Sequence, residues 1–452
     1  MRNVNRVLLF LTIALAVLAA ACGGGGSSTS TTTTTGGSGG GGGGSTVANS
    51  VTMMVDAGPA ELLAANQEDE DLAFISVQIC APGSTTNCQT LDHVQVDTGS
   101  QGLRVASEIV NSTLMASLQQ QTSAGNPVSE CVSFGDMSFI WGPVMAGVDI
   151  HIGGEVAKNV PIQLTSGAAP PAAAANAGCP ATQTGQIVTA KDLGANAILG
   201  LGLFRQDCGG GCALSGSGNS GMYIGCSGAT CNVIAEPTTA QLQNPVWMFP
   251  QDNNGVVLQL PAISASGQQS VQNGLLIFGI GTQSNNAIGS ATALQPDVST
   301  GNFGAQFNNV TYNDFNPPNT LGHGSSFIDS GSNGLFFLDS QTLVNSGFPI
   351  PDCSSSGGLQ GFYCPATAQT INVNLFAENS STGTIVGSPR AVSFSIQSAQ
   401  TLFNSGNTAF NDVGGPSPNS FDFGLPFFFG KTIFFGIEGQ TTPLGTGPIY
   451  GF

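Results

Sequence analysis

Two short segments of this 452-residue chain place the same residue types in the same frame. Val94-Gln95-Val96-Asp97-Thr98-Gly99-Ser100-Gln101-Gly102-Leu103 is echoed by Ser326-Phe327-Ile328-Asp329-Ser330-Gly331-Ser332-Asn333-Gly334-Leu335. Asp and Gly are ordinary turn formers, and a single copy would need no explanation beyond a turn. Two copies in one frame point instead to a paired site. Carboxyl groups flanking one point can hydrolyse an amide without a metal or a nucleophilic side chain. The carboxylate takes a proton from the attacking water, and the carboxylic acid gives one to the carbonyl oxygen. Carboxyls about 3 Å apart cannot both ionise, so such a pair shares a proton and titrates as a unit. Asp97 and Asp329 are the candidate catalytic pair. Gly99 and Gly331 let each turn approach the other. Thr98 and Ser330 can brace the loops through their hydroxyls, and Ser100 and Ser332 can bond the outer carboxylate oxygens.

Other chemistries find less support. A Ser-His-Asp hydrolase needs an activating histidine; there are three in the chain, and no Gly-x-Ser-x-Gly elbow occurs outside a Gly/Ser/Thr tract. A glycosidase can use two carboxylates but has no need of duplicated Asp-(Thr/Ser)-Gly loops. With 8 Lys+Arg against 26 Asp+Glu, nucleic acid is excluded as a partner, since no basic face can be assembled. Zinc is the competing use of closely spaced cysteines, but no CxxC occurs, and His93, His151 and His323 stand apart from the cysteines.

The elements that must carry the two loops are strands. Runs such as Phe74-Ile75-Ser76-Val77-Gln78-Ile79 and Val148-Asp149-Ile150-His151-Ile152 alternate or cluster apolar residues between Gly, Asn and Pro breakers. Short helices are expected at Ala60 to Asn66, at Asn111 to Gln121 and after Asp339. The expected class is all-β, and the lack of a short repeat period argues against a propeller or solenoid. With 40% hydrophobic residues and 27 Phe, the chain can bury substantial cores despite its 64 Gly.

The first 48 residues address the chain rather than fold it. Arg2 and Arg6 precede an apolar run, Val7 to Leu18, so residues 1–21 read as a signal peptide. The apolar stretch, Val7 to Ala21, is shorter than the roughly 20 residues that span a bilayer. Ala19-Ala20-Ala21-Cys22 resembles a bacterial lipobox, which implies a lipid on Cys22 and a membrane partner through that anchor. Ordinary cleavage after Ala21, with Cys22 incidental, is the alternative. Gly, Ser and Thr then dominate residues 22–48, a flexible leash. Gly23 rather than Asp after the cysteine is similar to Gram-negative lipoproteins sent to the outer membrane. Cys22 aside, ten cysteines remain, an even number suited to an oxidising compartment. Cys80 and Cys88, Cys208 and Cys212, Cys226 and Cys231, and Cys353 and Cys364 are close in sequence, which leaves Cys131 for Cys179.

The paired motifs resemble the pepsin-like aspartic proteases. In that family each of two homologous β lobes supplies one Asp-(Thr/Ser)-Gly loop, supported by a later hydrophobic-hydrophobic-Gly segment. Ile198-Leu199-Gly200-Leu201 is similar to the first support, and Phe421-Asp422-Phe423-Gly424-Leu425-Pro426-Phe427-Phe428 to the second. Gly274 to Gly279, Thr432 to Phe435 and Ile449 to Phe452 extend the resemblance over nearly everything after residue 50. The nearest likeness is to bacterial pepsin-like lipoproteins grouped as a domain of unknown function. The resemblance implies two pseudo-symmetric lobes, 49–245 with Asp97 and 246–452 with Asp329, and a cleft that takes an extended peptide or protein. No metal or cofactor is called for, and a monomer is expected.

This chain also departs from the family. Pepsin-like enzymes carry a Tyr on a hairpin flap over the cleft, where Phe134 stands here. Trp141 either supplies a wall and an N–H donor to the cleft or is a half-buried hairpin aromatic. Asp422 occupies a support position that is normally hydrophobic. The expected function is that of an extracytoplasmic, membrane-tethered aspartic endopeptidase. A pepsin-like body that binds peptides without cutting them is the alternative, and a structural surface lipoprotein would explain the tether and acidity but not the paired loops.

Overall fold

The computed structural model describes residues 48–452 apart from 66, 178, 181, 229, 309, 313–321, 324–325, 339–346, 355–358 and 379–384. The expected signal peptide, Cys22 and the tether lie outside the described residues, as does the helix expected after Asp339. The described chain is all-β, with helices confined to short turns such as Ala60–Ala64 and Ser112–Met115. The second of these is shorter than its sequence suggests. Asn111 caps it through Leu114 N, but Gln121 N then bonds Val144 O and the chain is drawn into the sheet. Among the described residues no helix is long and apolar enough to cross a membrane.

Six strands of the first half close on themselves. Ala73–Cys80 pairs antiparallel with Cys88–Asp97, which pairs parallel with Ala197–Leu201. That strand pairs antiparallel with Gln101–Val105, which runs parallel to Glu155–Leu164. Phe139–Ile152 then joins Glu155–Leu164 to Ala73–Cys80 and completes the ring. Alternation fills its interior: Val77, Ile79, Val96, Leu103, Ile150, Ile162 and Leu199 are all fully buried.

The strand Ala197–Leu201 lies between the two strands that flank the Asp97 loop. Gly200 stands beside Asp97 on one side and Gly102 on the other. A side chain is impossible there, because a Cβ on Gly200 would sit 2.4 Å from Gln101 N. The second half repeats the device. Ser417–Phe423 runs parallel to Ser326–Ile328 and antiparallel to Leu335–Leu338. Gly424 follows, where a Cβ would meet Gly334 O at 2.1 Å. Each hydrophobic-hydrophobic-Gly segment is therefore threaded through its own Asp loop. Beneath the second loop Phe421 and Phe423 stack at 4.4 Å and Phe337 stacks on Phe421 at 4.9 Å, which stabilises by about 0.5–1.5 kcal/mol per pair beyond burial.

A further run of strands joins the halves. Ser50–Val55 pairs with Val271–Phe278, which pairs with Gly255–Gln259, then Thr432–Gly436, Ile449–Gly451 and Ala293–Leu294. The other edge of Ser50–Val55 is held by Ala73–Cys80. Five disulfides form as the spacings suggest, with Cys131 and Cys179 bridged at a Cα separation of 5.8 Å.

One contact between the halves is unusual in its charge. The segment before the first barrel strand packs on residues 408–412: Asp71 N donates to Thr408 O at 2.8 Å and Phe410 N to Asp71 Oδ1 at 2.7 Å. Glu70, Asp71 and Asp412 are all buried here, and Asp71 Oδ2 and both carboxylate oxygens of Asp412 have no hydrogen-bond partner among the described residues. Burial, reinforced by Asp69 and Glu68, pushes the Glu70 carboxyl up to about 8, and burial pushes Asp412 up to about 7.

Candidate functional site

The two Asp loops meet tip to tip, and the contact is reciprocal. Thr98 N donates to Ser330 Oγ at 3.2 Å, and Ser330 N donates to Thr98 Oγ1 at 2.9 Å. Each hydroxyl also donates back across the junction, Thr98 Oγ1 to Ile328 O at 3.5 Å and Ser330 Oγ to Val96 O at 2.7 Å. These four bonds fix the separation of the loops. They are buried, where breaking one strands a polar group at a cost of about 1–3 kcal/mol. Gln95 adds a fifth bond, from Nε2 to Gly331 O at 3.0 Å.

The carboxyl groups then face each other over the glycines. Gly99 N donates to Asp97 Oδ1 at 2.8 Å and Gly331 N to Asp329 Oδ1 at 2.7 Å. Ser100 Oγ donates to Asp97 Oδ2, and Ser332 Oγ to Asp329 Oδ2 at 3.0 Å. A Cβ on Gly99 would meet the Asp329 carboxyl at 2.7 Å, and one on Gly331 would meet Asp97 Oδ1 at 2.6 Å. Only glycine lets the loops close this far. All eight residues singled out from the two motifs are thus brought to one point.

The electrostatics follow from that proximity. Burial, the charge of Asp97 and hydrogen bonding to Asp97 push the Asp329 carboxyl up to about 8, against the opposing pull of Gly331 N and the Ser332 hydroxyl. Asp422 lies alongside. Its carboxyl is held well above the usual range, first by burial and then by the charge of Asp329, while hydrogen bonding from Ser332 acts the other way. Its neighbours Phe421 and Phe423 point into the aromatic core, and strand alternation turns Asp422 to the opposite face.

The dyad lies in a cleft of about 850 Å³ lined from both halves, by Ser133 and Phe134 on one side and by Val298, Phe327 and Tyr450 on the other. Phe134 sits in the turn between Asn126–Ser133 and Phe139–Ile152, closed by Phe134 N to Ser138 O at 2.8 Å. Trp141 corrects the expectation of a cleft wall. It is 5% exposed and packs with Phe139, Ile224 and the Cys131–Cys179 bridge on the covered side of the hairpin.

A charged cluster in the cleft escaped the sequence reading. Arg104 is fully buried and donates from one nitrogen to Glu130 Oε1 at 2.6 Å and Asp207 Oδ2 at 3.0 Å, while the Tyr223 hydroxyl donates to Asp207 Oδ1 at 2.8 Å. Burial and the charge of Glu130 hold Asp207 well above the usual carboxylate range, with Arg104 opposing them. The available signal was Arg104 itself, a cation in the otherwise apolar run Gly102-Leu103-Arg104-Val105. A buried arginine requires carboxylate partners, although a single sequence does not reveal which.

No curated protein matches the chain in sequence. A family described as Protein of unknown function (DUF3443) matches residues 45–452, which covers the paired loops, both supporting segments and the cleft. The chain belongs to this DUF3443 family.

Proposed function

We propose that the protein is an aspartic endopeptidase of the pepsin-like kind, held at the cell envelope by a lipid on Cys22. The observation that supports it is the reciprocal closure of the two loops, in which each carboxyl packs on the other loop's glycine. A water between Asp97 and Asp329 would lose a proton to the ionised carboxyl as its oxygen attacks the peptide carbon. The protonated carboxyl would give its proton to the carbonyl oxygen. Collapse of the tetrahedral diol then breaks the C–N bond: the proton taken from water passes to the leaving nitrogen, and a diol hydroxyl returns its proton to the carboxyl that had given one, which restores the dyad. Neither carboxyl forms a covalent bond to substrate. An extended peptide suits a cleft open to both halves of the chain.

One observation favours a second reading. Phe134 places an apolar ring where a hydroxyl would complete a flap, so a body that binds peptides without cutting them also fits the geometry. Digestion of an unbiased peptide mixture across pH separates the two. The protease reading expects cleavage that Asp97→Asn abolishes, with turnover falling as pH rises through about 8, where the proton shared with Asp329 is lost. Peptide binding with no cleavage at any pH would establish the second reading.

A further inference from the structure

The charge of the cleft has a sign that the hydrolytic chemistry does not require. Besides the dyad, its lining holds three acidic side chains, Asp207 from the first half and Asp422 and Glu438 from the second, against a single cation among the described residues, Arg104. Arg104 donates to both Glu130 and Asp207, so its charge is already engaged. The next cation along the chain is turned away. The Arg205 guanidinium lies over the Trp247 ring, 5.3 Å from its centre, and is no part of the lining. The cleft therefore has no free positive charge to offer an acidic peptide.

Two of these carboxyls have acceptor capacity left over. Glu438 lies at the seam of the halves, where its N donates to Leu203 O at 2.8 Å and Arg205 N donates to its Oε1 at 2.9 Å. These bonds hold the side chain in place without neutralising it. The ion pairs among the described residues belong to His93 and Arg104, and Glu438 takes part in none of them. Asp422 is more deeply buried. It stands beside Phe327, at the register where the first half places Ile198 beside Gln95. Its carboxyl lines the cleft, and its Oδ1 is buried without a hydrogen-bond partner among the described residues. Such an oxygen accepts whether or not the group is protonated, and leaving it unmet is destabilising. A donor that enters with the ligand would meet it.

We propose that the cleft selects cationic peptides, with Glu438 and Asp422 accepting from lysine or arginine side chains. This deepens the reading of the cleft as a peptide site and rests on it. The charge of the whole chain acts in the same direction: with 8 Lys+Arg against 26 Asp+Glu it draws cations from a distance, and the cleft carboxyls give them a place to bind.

Short fluorescent peptides of one sequence, with lysine, glutamine or glutamate at the same positions, test this on the full chain bearing Asp97→Asn, so that none is cut. At pH 7 and low salt, fluorescence anisotropy should show the lysine peptide bound about tenfold or more tighter than the glutamine peptide, and the glutamate peptide weakest; high salt should narrow the difference. Glu438→Gln keeps an acceptor for Arg205 N, and Asp422→Ile installs the residue that the first half uses. Combined, and with near-ultraviolet circular dichroism native, they should bring the lysine and glutamine peptides to within about twofold of each other. Glu61→Gln is the control for diffuse attraction, since Glu61 is exposed in the short helix Ala60–Ala64 and removes the same charge away from the cleft. It should leave the preference unchanged; a loss equal to that of Glu438→Gln would overturn the proposal. Equal binding of the lysine and glutamine peptides by the parent protein would also overturn it while leaving the peptide cleft intact. Binding of none of the three would overturn the peptide reading itself, and the substrate class with it.

Discussion

Asp412→Asn should make the protein more stable at pH 8 and leave it almost unchanged at pH 4. Asp412 is 2% exposed, neither of its carboxylate oxygens has a hydrogen-bond partner among the described residues, and it neighbours the buried Asp71 between the halves. Burial raises its carboxyl from 3.8 to about 7. The folded state therefore holds this proton more tightly than the unfolded chain. Its stability is undiminished below the unfolded value and falls as pH rises from about 4 to about 7. At 1.36 kcal/mol per pH unit the full loss is on the order of 4 kcal/mol, an upper bound because buried sites relax on ionising. Asparagine keeps the shape and removes the titration, so the variant should recover much of this difference above pH 7. Urea unfolding followed by near-ultraviolet circular dichroism, with the disulfides intact, gives the comparison at the two pH values. A stability difference that is the same at pH 4 and pH 8 would refute the reasoning.

Two further outcomes bear on the site and on the anchor. Gly331→Ala would force a methyl to within 2.6 Å of Asp97 Oδ1, so the loops must part and peptide cleavage should fall by about a hundredfold or more; retention of wild-type turnover would show that the loops need not close this far. Cys22→Ala should abolish lipid labelling and membrane fractionation, and a wild-type protein recovered wholly soluble without a lipid mass would remove the anchor from the proposal.

What the sequence revealed was local, and what it hid was created by packing. The Asp97 and Asp329 loops could be read because each is a contiguous motif whose residues all serve one tight turn. Duplication then linked two turns that lie far apart in the chain. The supports were legible for a related reason, since only glycine fits at 200 and 424 and the apolar residues before them must pair with a buried strand. Trp141 was ambiguous because which way a strand residue faces depends on register. Pairing with Cys131 placed it on the disulfide side, away from the cleft. The Arg104 cluster was invisible because Glu130 and Asp207 come from separate segments, 26 and 103 residues away. Asp422 was visible as an oddity, yet its burial close to Asp329 arises only when the threaded strand enters the second loop.

The strand that opens the folded body has consequences for how the molecule is made. Asn49 Nδ2 bonds Phe278 O, 229 residues away, and Ser50–Val55 lies between that distant strand and Ala73–Cys80. During synthesis, the first strand to emerge has one edge with no partner until more than half the chain has followed. An edge left open this long is a template for pairing with another nascent copy. A fragment ending before residue 271 would keep that edge permanently bare, so the first half alone should aggregate. Supplying the second half in trans as a separate fragment should restore a soluble, nicked assembly.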